Sequence, residues 1–199
     1  NLKREAHLDS IFQDVVTEAG SLVGAARTSL FILVNPTNDK EKHKRTTSHV
    51  PVPDGKYLYN KYDTDKQERW IPLGRGIVSR AALTGEAWNI SDVSKEPDFA
   101  PEIGWSETKA MMAVPVLDSS NRPIAVIQAL HNQHEFGERD LQILKALASH
   151  ISVSLRMYDN EAETRLRDTI RMLKEYGLSG IVAEPVERKW RPLFPDDDD

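Results

Sequence analysis

The apolar positions of this chain fall into three kinds of run. Lys109 to Leu117 (KAMMAVPVL) and Pro123 to Asn132 (PIAVIQALHN) are nearly unbroken in apolar and β-branched residues, and Asp118 to Arg122 between them carry turn chemistry. They predict a β-hairpin. Continuous runs such as Ile124 to Ile127 predict that both of its faces are covered by helices rather than by water, and Arg27 to Val34 (RTSLFILV) predicts a further interior strand. The second kind repeats at helical spacing. Leu8, Ile11, Phe12, Val15, Val16, Ala19, Leu22 and Val23 share one face of a first helix over residues 5–24, which ends near Gly24.

The third run is the longest. Gly137, Glu138 and Asp140 supply a cap and an acidic first turn. From there Leu141, Leu144, Ala148, Ile151, Leu155, Tyr158 and Ala162 recur at alternating steps of three and four, and Leu166, Ile170 and Leu173 continue the seam with a slip in phase. Read as one helix to Tyr176, it is roughly 60 Å long at about 1.5 Å per residue, more than a domain of this size covers. The pattern therefore predicts a domain over residues 1–158 and a projecting extension of the last helix over 159–178. Such a seam needs a partner helix, and the simplest is a second copy, giving a homodimer through the first and last helices.

Shorter elements fill the rest. Lys56 to Tyr62 and Arg69 to Leu73 predict strands, Ile77 to Leu83 a compact helix stopped by Gly85, and Trp88 to Ile90 a brief extended piece. Ser91 to Trp105 is irregular, with Pro97 and Pro101 barring a long helix. Asn35 to Gly55, with its basic cluster Lys40 to Arg45, predicts an inserted loop, and residues 179–199, with Trp190 and Phe194 among prolines, a linker or docking tail.

Charge and composition narrow the function. A net charge of -5 argues against nucleic-acid binding. No stretch approaches the about eighteen apolar residues of a membrane span, and the first residues lack a signal-peptide core, so the expectation is a cytoplasmic chain without a membrane partner. With no cysteine, disulfides, thiolate metal sites and cysteine nucleophiles are excluded. There is no nucleophile elbow, His-Glu-x-x-His, phosphate loop or dinucleotide fingerprint, and the acidic pairs Asp63/Asp65 and Glu161/Glu163 read as a turn and a solvated helix face. His131, His134 and His150 read as surface or capping residues rather than metal ligands. No catalysis and no cofactor are expected of this region.

One stretch carries a resemblance. Arg69 to Ser79 (RWIPLGRGIVS), Ala82 to Glu86 (ALTGE) and Asn89 to Asp92 (NISD), with Ala113 to Val116 (AVPV) and Pro123 to Gln128 (PIAVIQ), resemble the GAF domain over about residues 8–158. The resemblance implies an α/β (α+β) fold, a central antiparallel sheet of about six strands flanked by helices, ending in a long C-terminal helix. Similarity is greatest to the cyclic-nucleotide phosphodiesterase and adenylyl cyclase type, whose Asn-Lys, Phe, Asp-Glu signature survives here as Phe136 and Asp140, with Leu141 in place of the Glu and no matching lysine. In that type a ligand lies between the sheet and the short helices. The matching positions are Ser29, Leu73, Thr108 and Gln128, with Asp98 and Phe99 in a lid-like segment and the Gly76 turn as a phosphate seat. The implied role is a sensor of a small molecule, such as a cyclic nucleotide, that relays its state through the long helix to another domain, for example a phosphodiesterase. The alternative is a ligand-free dimerisation module whose pocket is filled by Leu73, Met112 and Tyr62. Ser29 can equally be a core hydroxyl bonded to a neighbour.

Overall fold

The structure, a computed structural model, describes residues 2–34, 57–65, 69–101, 105–157 and 169–177. The expected 35–55 loop, the Glu161/Glu163 pair and the 179–199 tail lie outside these residues. The chain runs α1 (Leu2–Val23), β1 (Arg27–Val34), β2 (Tyr57–Asp63), β3 (Arg69–Pro72), α2 (Gly76–Thr84), β4 (Trp88–Ile90), a 3-10 turn (Val93–Lys95), β5 (Ala110–Leu117), β6 (Pro123–His131) and α3 (Glu138–Met157). The six strands form one antiparallel sheet in the order β3-β2-β1-β6-β5-β4. The predicted hairpin is its centre.

The two-sided burial read from the sequence is met. Along β5 every residue from Ala110 to Val116 is buried. Alternation sends Met112, Val114 and Val116, with Ala125, Ile127 and Ala129 of β6, into a core beneath α1 and α3, while Met111, Ala113, Val126 and Leu130 enter a second core beneath α2, residues 91–101 and Trp105. Two helices therefore cover one face and a short helix with irregular chain covers the other. The ends of these helices follow from sequence. Gly85 adopts φ +70°, which its missing Cβ permits, and its N–H reaches the Ala81 carbonyl at 3.0 Å, closing α2. At α3, Asp140 accepts the Gly137 N–H at 2.8 Å, satisfying a donor that the helix leaves open.

The expected unbroken helix from Glu138 to Tyr176 is corrected. Residues 169–176 are helical again, yet a straight helix would set Thr169 about 28 Å along the axis from His150. Instead Thr169 Oγ1 lies 3.4 Å from His150 Nδ1. At the other end, a Cβ on Gly177 would sit 3.4 Å from the Arg139 guanidinium. The two contacts, 150 with 169 and 139 with 177, run in opposite senses, so the segment returns antiparallel beside α3. Ile170 and Leu173 are buried in the first core, and Lys174 pairs with Glu18 of α1. The physical reason is that an apolar seam specifies that it be covered and not by which chain. Here the cover for this part of the seam comes from within the chain.

Helix α1 approaches β1 closely because Gly20 has no side chain. A Cβ there would stand 2.8 Å from Thr28 Oγ1, a hydroxyl that is buried and has no hydrogen-bond partner. Thr28 is β-branched and stiff, so it cannot swing aside. Gly20→Ala is expected to lower stability by about 1–3 kcal/mol despite its better helix propensity, and Gly20→Ala with Thr28→Ala to recover most of the loss, as measured by urea unfolding of the two single variants and the double variant.

Candidate functional site

Six residues were singled out from the sequence, and the structure places them in three settings. Ser29 and Gln128 are direct cross-strand neighbours on β1 and β6, on the face that carries the second core. Leu73 and Phe99, half-buried, pack against that core from the end of β3 and from the irregular segment. Asp98 and Thr108 lie apart from this group. Asp98 is 57% exposed and pairs with Arg80, and Thr108 is buried at the entry to β5, where its hydroxyl has no partner.

The two central residues differ in what their polar atoms do. The Ser29 hydroxyl donates to Asp63 Oδ2 at 2.8 Å. Asp63 is fully buried and collects donors from all sides. Asn60 Nδ2 donates at 2.8 Å, the Asp65 N–H at 2.7 Å, and the Arg27 guanidinium at 2.9 Å through Nη2 and 3.3 Å through Nε. Ser29 is thus part of a closed structural network. Gln128 is 4% exposed, and its side-chain amide makes no hydrogen bond to another described residue.

Asp63, expected at a turn, ends β2 just before one and is fully buried. The missed signal is Arg27, a charge opening an otherwise apolar interior strand, which requires a buried counter-charge. Burial alone would raise the Asp63 pKa, but the hydrogen bonds from Arg27, Asp65, Ser29 and Asn60 outweigh it and hold the carboxyl below its ordinary value.

A second cluster closes the face. Arg80 of α2 donates through Nη2 to Glu96 at 3.0 Å and through Nη1 to Asp98 at 3.3 Å, with its guanidinium 4.1 Å above the Trp88 ring. It ties the short helix to the irregular segment that lies beside the second core. The first turn of α2 has no side-chain cap at Arg75, so its N–H groups are not taken by a capping side chain. On the other face, a cleft of about 680 Å³ between α3 and β5 holds none of the six residues, and Ser152 within it is committed to the Leu117 carbonyl.

The histidines have structural surroundings. His131 Nδ1 accepts the N–H groups of Gln133 and His134, each at 3.0 Å, and His150, half-buried, lies against Thr169. No group of three or more histidine, aspartate or glutamate side chains among the described residues is placed to hold a metal, and no described helix is long and apolar enough to cross a membrane.

Comparison with known proteins decides the family. The model of the GAF domain matches residues 7–155, most of the chain. The chain belongs to the GAF family. Among curated relatives, the cone cGMP-specific 3',5'-cyclic phosphodiesterase subunit alpha' of Gallus gallus is 29% identical over 155 residues, 75% of this chain and 17% of that protein. The dual 3',5'-cyclic-AMP and -GMP phosphodiesterase 11A of Takifugu rubripes is 24% identical over 200 residues, 94% of this chain and 20% of its own. The chain thus spans about a fifth of these relatives. The GAF domain is a regulatory rather than a catalytic module.

Solved structures agree on the fold. The GAF domain of a phosphoenolpyruvate-protein phosphotransferase from Coxiella burnetii superposes with TM-score 0.57 at 17% identity, covering 81% of this chain and 86% of that one. The type II free methionine-R-sulfoxide reductase from Thermoplasma acidophilum gives 0.52 at 16%, covering 72% and 93%. In this GAF domain the residues of two resembling motifs meet, since Asn89 donates to the Phe136 carbonyl at 3.0 Å and so ties β4 to the start of α3.

The Asp63 network yields a pH test. Because the folded pKa lies below the unfolded value of about 3.9, its contribution is complete above that pH and is lost as the pH falls through the folded value. Asp63→Asn should cost about 3–5 kcal/mol at pH 7 by leaving Arg27 without its carboxylate, and should flatten the decline in acid. Urea unfolding from pH 7 down to pH 3 reads both.

Proposed function

We propose that this domain is a small-molecule sensor that binds a purine cyclic nucleotide on the α2 face of its sheet and regulates an output domain linked to it. The observation that carries this is Gln128, 4% exposed on the α2 face beside Ser29, with no side-chain hydrogen bond to another described residue. A pocket presents such a group to a ligand, which supplies the missing bonds when it binds. Phe99 and Leu73 offer apolar surface for a base, and the uncapped first turn of α2 at Gly76 offers N–H groups and the positive end of the helix to a phosphate. Two phosphodiesterases whose names specify cyclic nucleotides are among the similar proteins, which favours this ligand class. Occupancy reaches the output domain only if the ligand prefers one arrangement of the helices over another. β6 gives it the means, with Gln128 on one face and Ile127 and Ala129 against the helices on the other.

A second reading has an observation of its own. Leu58, Ile77, Ala113 and Val126 of the second core are all at most 2% exposed, the packing of a face filled by its own side chains. On that reading the domain is a ligand-free interaction module.

Titration calorimetry with cyclic GMP and cyclic AMP separates the two, with Gln128→Leu as the control. The sensor reading expects heat from the native domain and at least about a tenfold loss of affinity in the variant, together with an unchanged melting temperature without ligand, because the amide bonds to no other described residue. No heat from either nucleotide at millimolar concentration removes the nucleotide, and a lowered melting temperature in the variant favours the module.

A further inference from the structure

We infer that the cleft of about 680 Å³ between α3 and the edge of β5 is a second small-molecule site, and that it takes a short zwitterion of dipeptide size, its carboxylate toward Lys145 and its ammonium toward Glu86. The site is separate from the α2 face and does not depend on what binds there.

The cleft exists because β4 is short. β5 runs from Ala110 to Leu117, but β4 pairs only with Met111, Met112 and Ala113, and no other described strand lies on that edge. From Val114 to Leu117 the edge is therefore open, and Ala148, Ser149 and Ser152 of α3 are too small to close it. A further strand is a poor occupant. Pro115 has no N–H to offer one, and the Leu117 carbonyl already accepts the Ser152 hydroxyl. The volume falls within the range of small-molecule sites, about 300–1,000 Å³.

The lining states the chemistry of the occupant. Val114 and Ala148, at most 3% exposed, give the cleft apolar walls. At its rim, Lys145 and Glu86 are exposed, and neither side chain forms an ion pair or hydrogen bond with another described residue. Asp118, the other carboxylate of the lining, is committed. It accepts the N–H groups of Ser120 and Arg122 at 2.8 and 2.9 Å and Arg122 Nε at 2.9 Å. One cation and one carboxylate remain, and together they select a molecule carrying both charges. A simple anion meets repulsion from Glu86, and a simple cation from Lys145.

Spacing sets the length. Lys145 and Ser152 are seven residues apart on α3, about 10 Å along its axis. Glu86 belongs to the Ser152 end, because a Cβ on the adjoining Gly85 would lie 3.9 Å from Leu117, whose carbonyl Ser152 holds. The two free charges thus stand toward opposite ends of the cleft. A single α-amino acid carries its charges on adjacent atoms of one residue, whereas two extended residues span about 7 Å and the flexible Lys145 stem covers the remainder. Ser149, one turn from Lys145, has a hydroxyl with no bond to another described residue, available to the same carboxylate.

The test is titration of the isotope-labelled 199-residue chain with L-alanyl-L-alanine, followed by backbone amide shifts, in the native protein and in Lys145→Gln and Glu86→Gln. Both substitutions alter exposed side chains, so the fold is kept. The proposal expects saturable shifts confined to residues 85–88, 114–118 and 145–152, with affinity falling about three- to tenfold in each variant. Blocking one end of the probe identifies its partner. N-acetyl-alanyl-alanine, without the ammonium, is expected to bind the native and Glu86→Gln chains equally, and alanyl-alaninamide, without the carboxylate, the native and Lys145→Gln chains equally. No saturable shift at tens of millimolar probe overturns the site. Saturable shifts indifferent to both substitutions overturn the assigned chemistry, and shifts confined to the α2 face around Gln128 overturn the location.

Discussion

The constraint on which this domain rests is that β5 and β6 must be dry on both faces. Strands this apolar on both sides cannot lie at a surface, and their backbone groups cannot be left without partners in the interior. A sheet with neighbours on either edge satisfies the backbone, and layers above and below satisfy the side chains. β6 therefore sits between β1 and β5, with α1 and α3 on one side and α2 with residues 91–101 and Trp105 on the other. The two sides are not equal. Long helices with apolar stripes seal the first core, whereas a nine-residue helix and irregular chain cover the second, and irregular chain carries side chains such as Phe99 and Asp98 rather than a continuous stripe.

That asymmetry separates what the amino-acid sequence discloses from what it conceals. The hairpin, the first helix and the helix stopped by Gly85 were legible because each is encoded in local periodicity or in a backbone conformation that favours glycine. The Asp63 network was not, because it is made by register. Arg27 and Asp63 are 36 residues apart, and only the pairing of β1 with β2 brings them together. No spacing along the chain announces that contact. An arginine heading a buried strand signals that a carboxylate must exist, without naming it.

The return of the chain after α3 shows a different limit. A heptad pattern reports the free energy to be gained by covering a seam and is silent on topology, so a long rod with a partner and a short helix with a returning segment share one pattern. The deciding contacts, Thr169 with His150 and Lys174 with Glu18, involve residues that look like ordinary solvated positions on a rod. For the candidate site the position is reversed. Gln128 is unremarkable in periodicity and came from family resemblance, and its distinction lies in where it stands, 4% exposed beside Ser29 on the α2 face with no side-chain hydrogen bond to another described residue.

These two features lie on opposite faces of one sheet, and that arrangement limits how they can influence each other. β6 presents Gln128 and Val126 to the second core and Ile127 and Ala129 to the first, so a shift of its backbone is felt on both sides within a single residue. Close-packed cores do not absorb such shifts gradually, because side chains hold their rotamers until a neighbour gives way. The element with least to lose is then the one that yields. α1 and α3 each contribute many buried side chains to the first core, whereas the segment 169–177 contributes Ile170 and Leu173 to it. A displacement of β6 at Gln128 therefore reaches the first core through Ile127 and Ala129, where the returning segment contributes the fewest core residues of the three helical elements packed there.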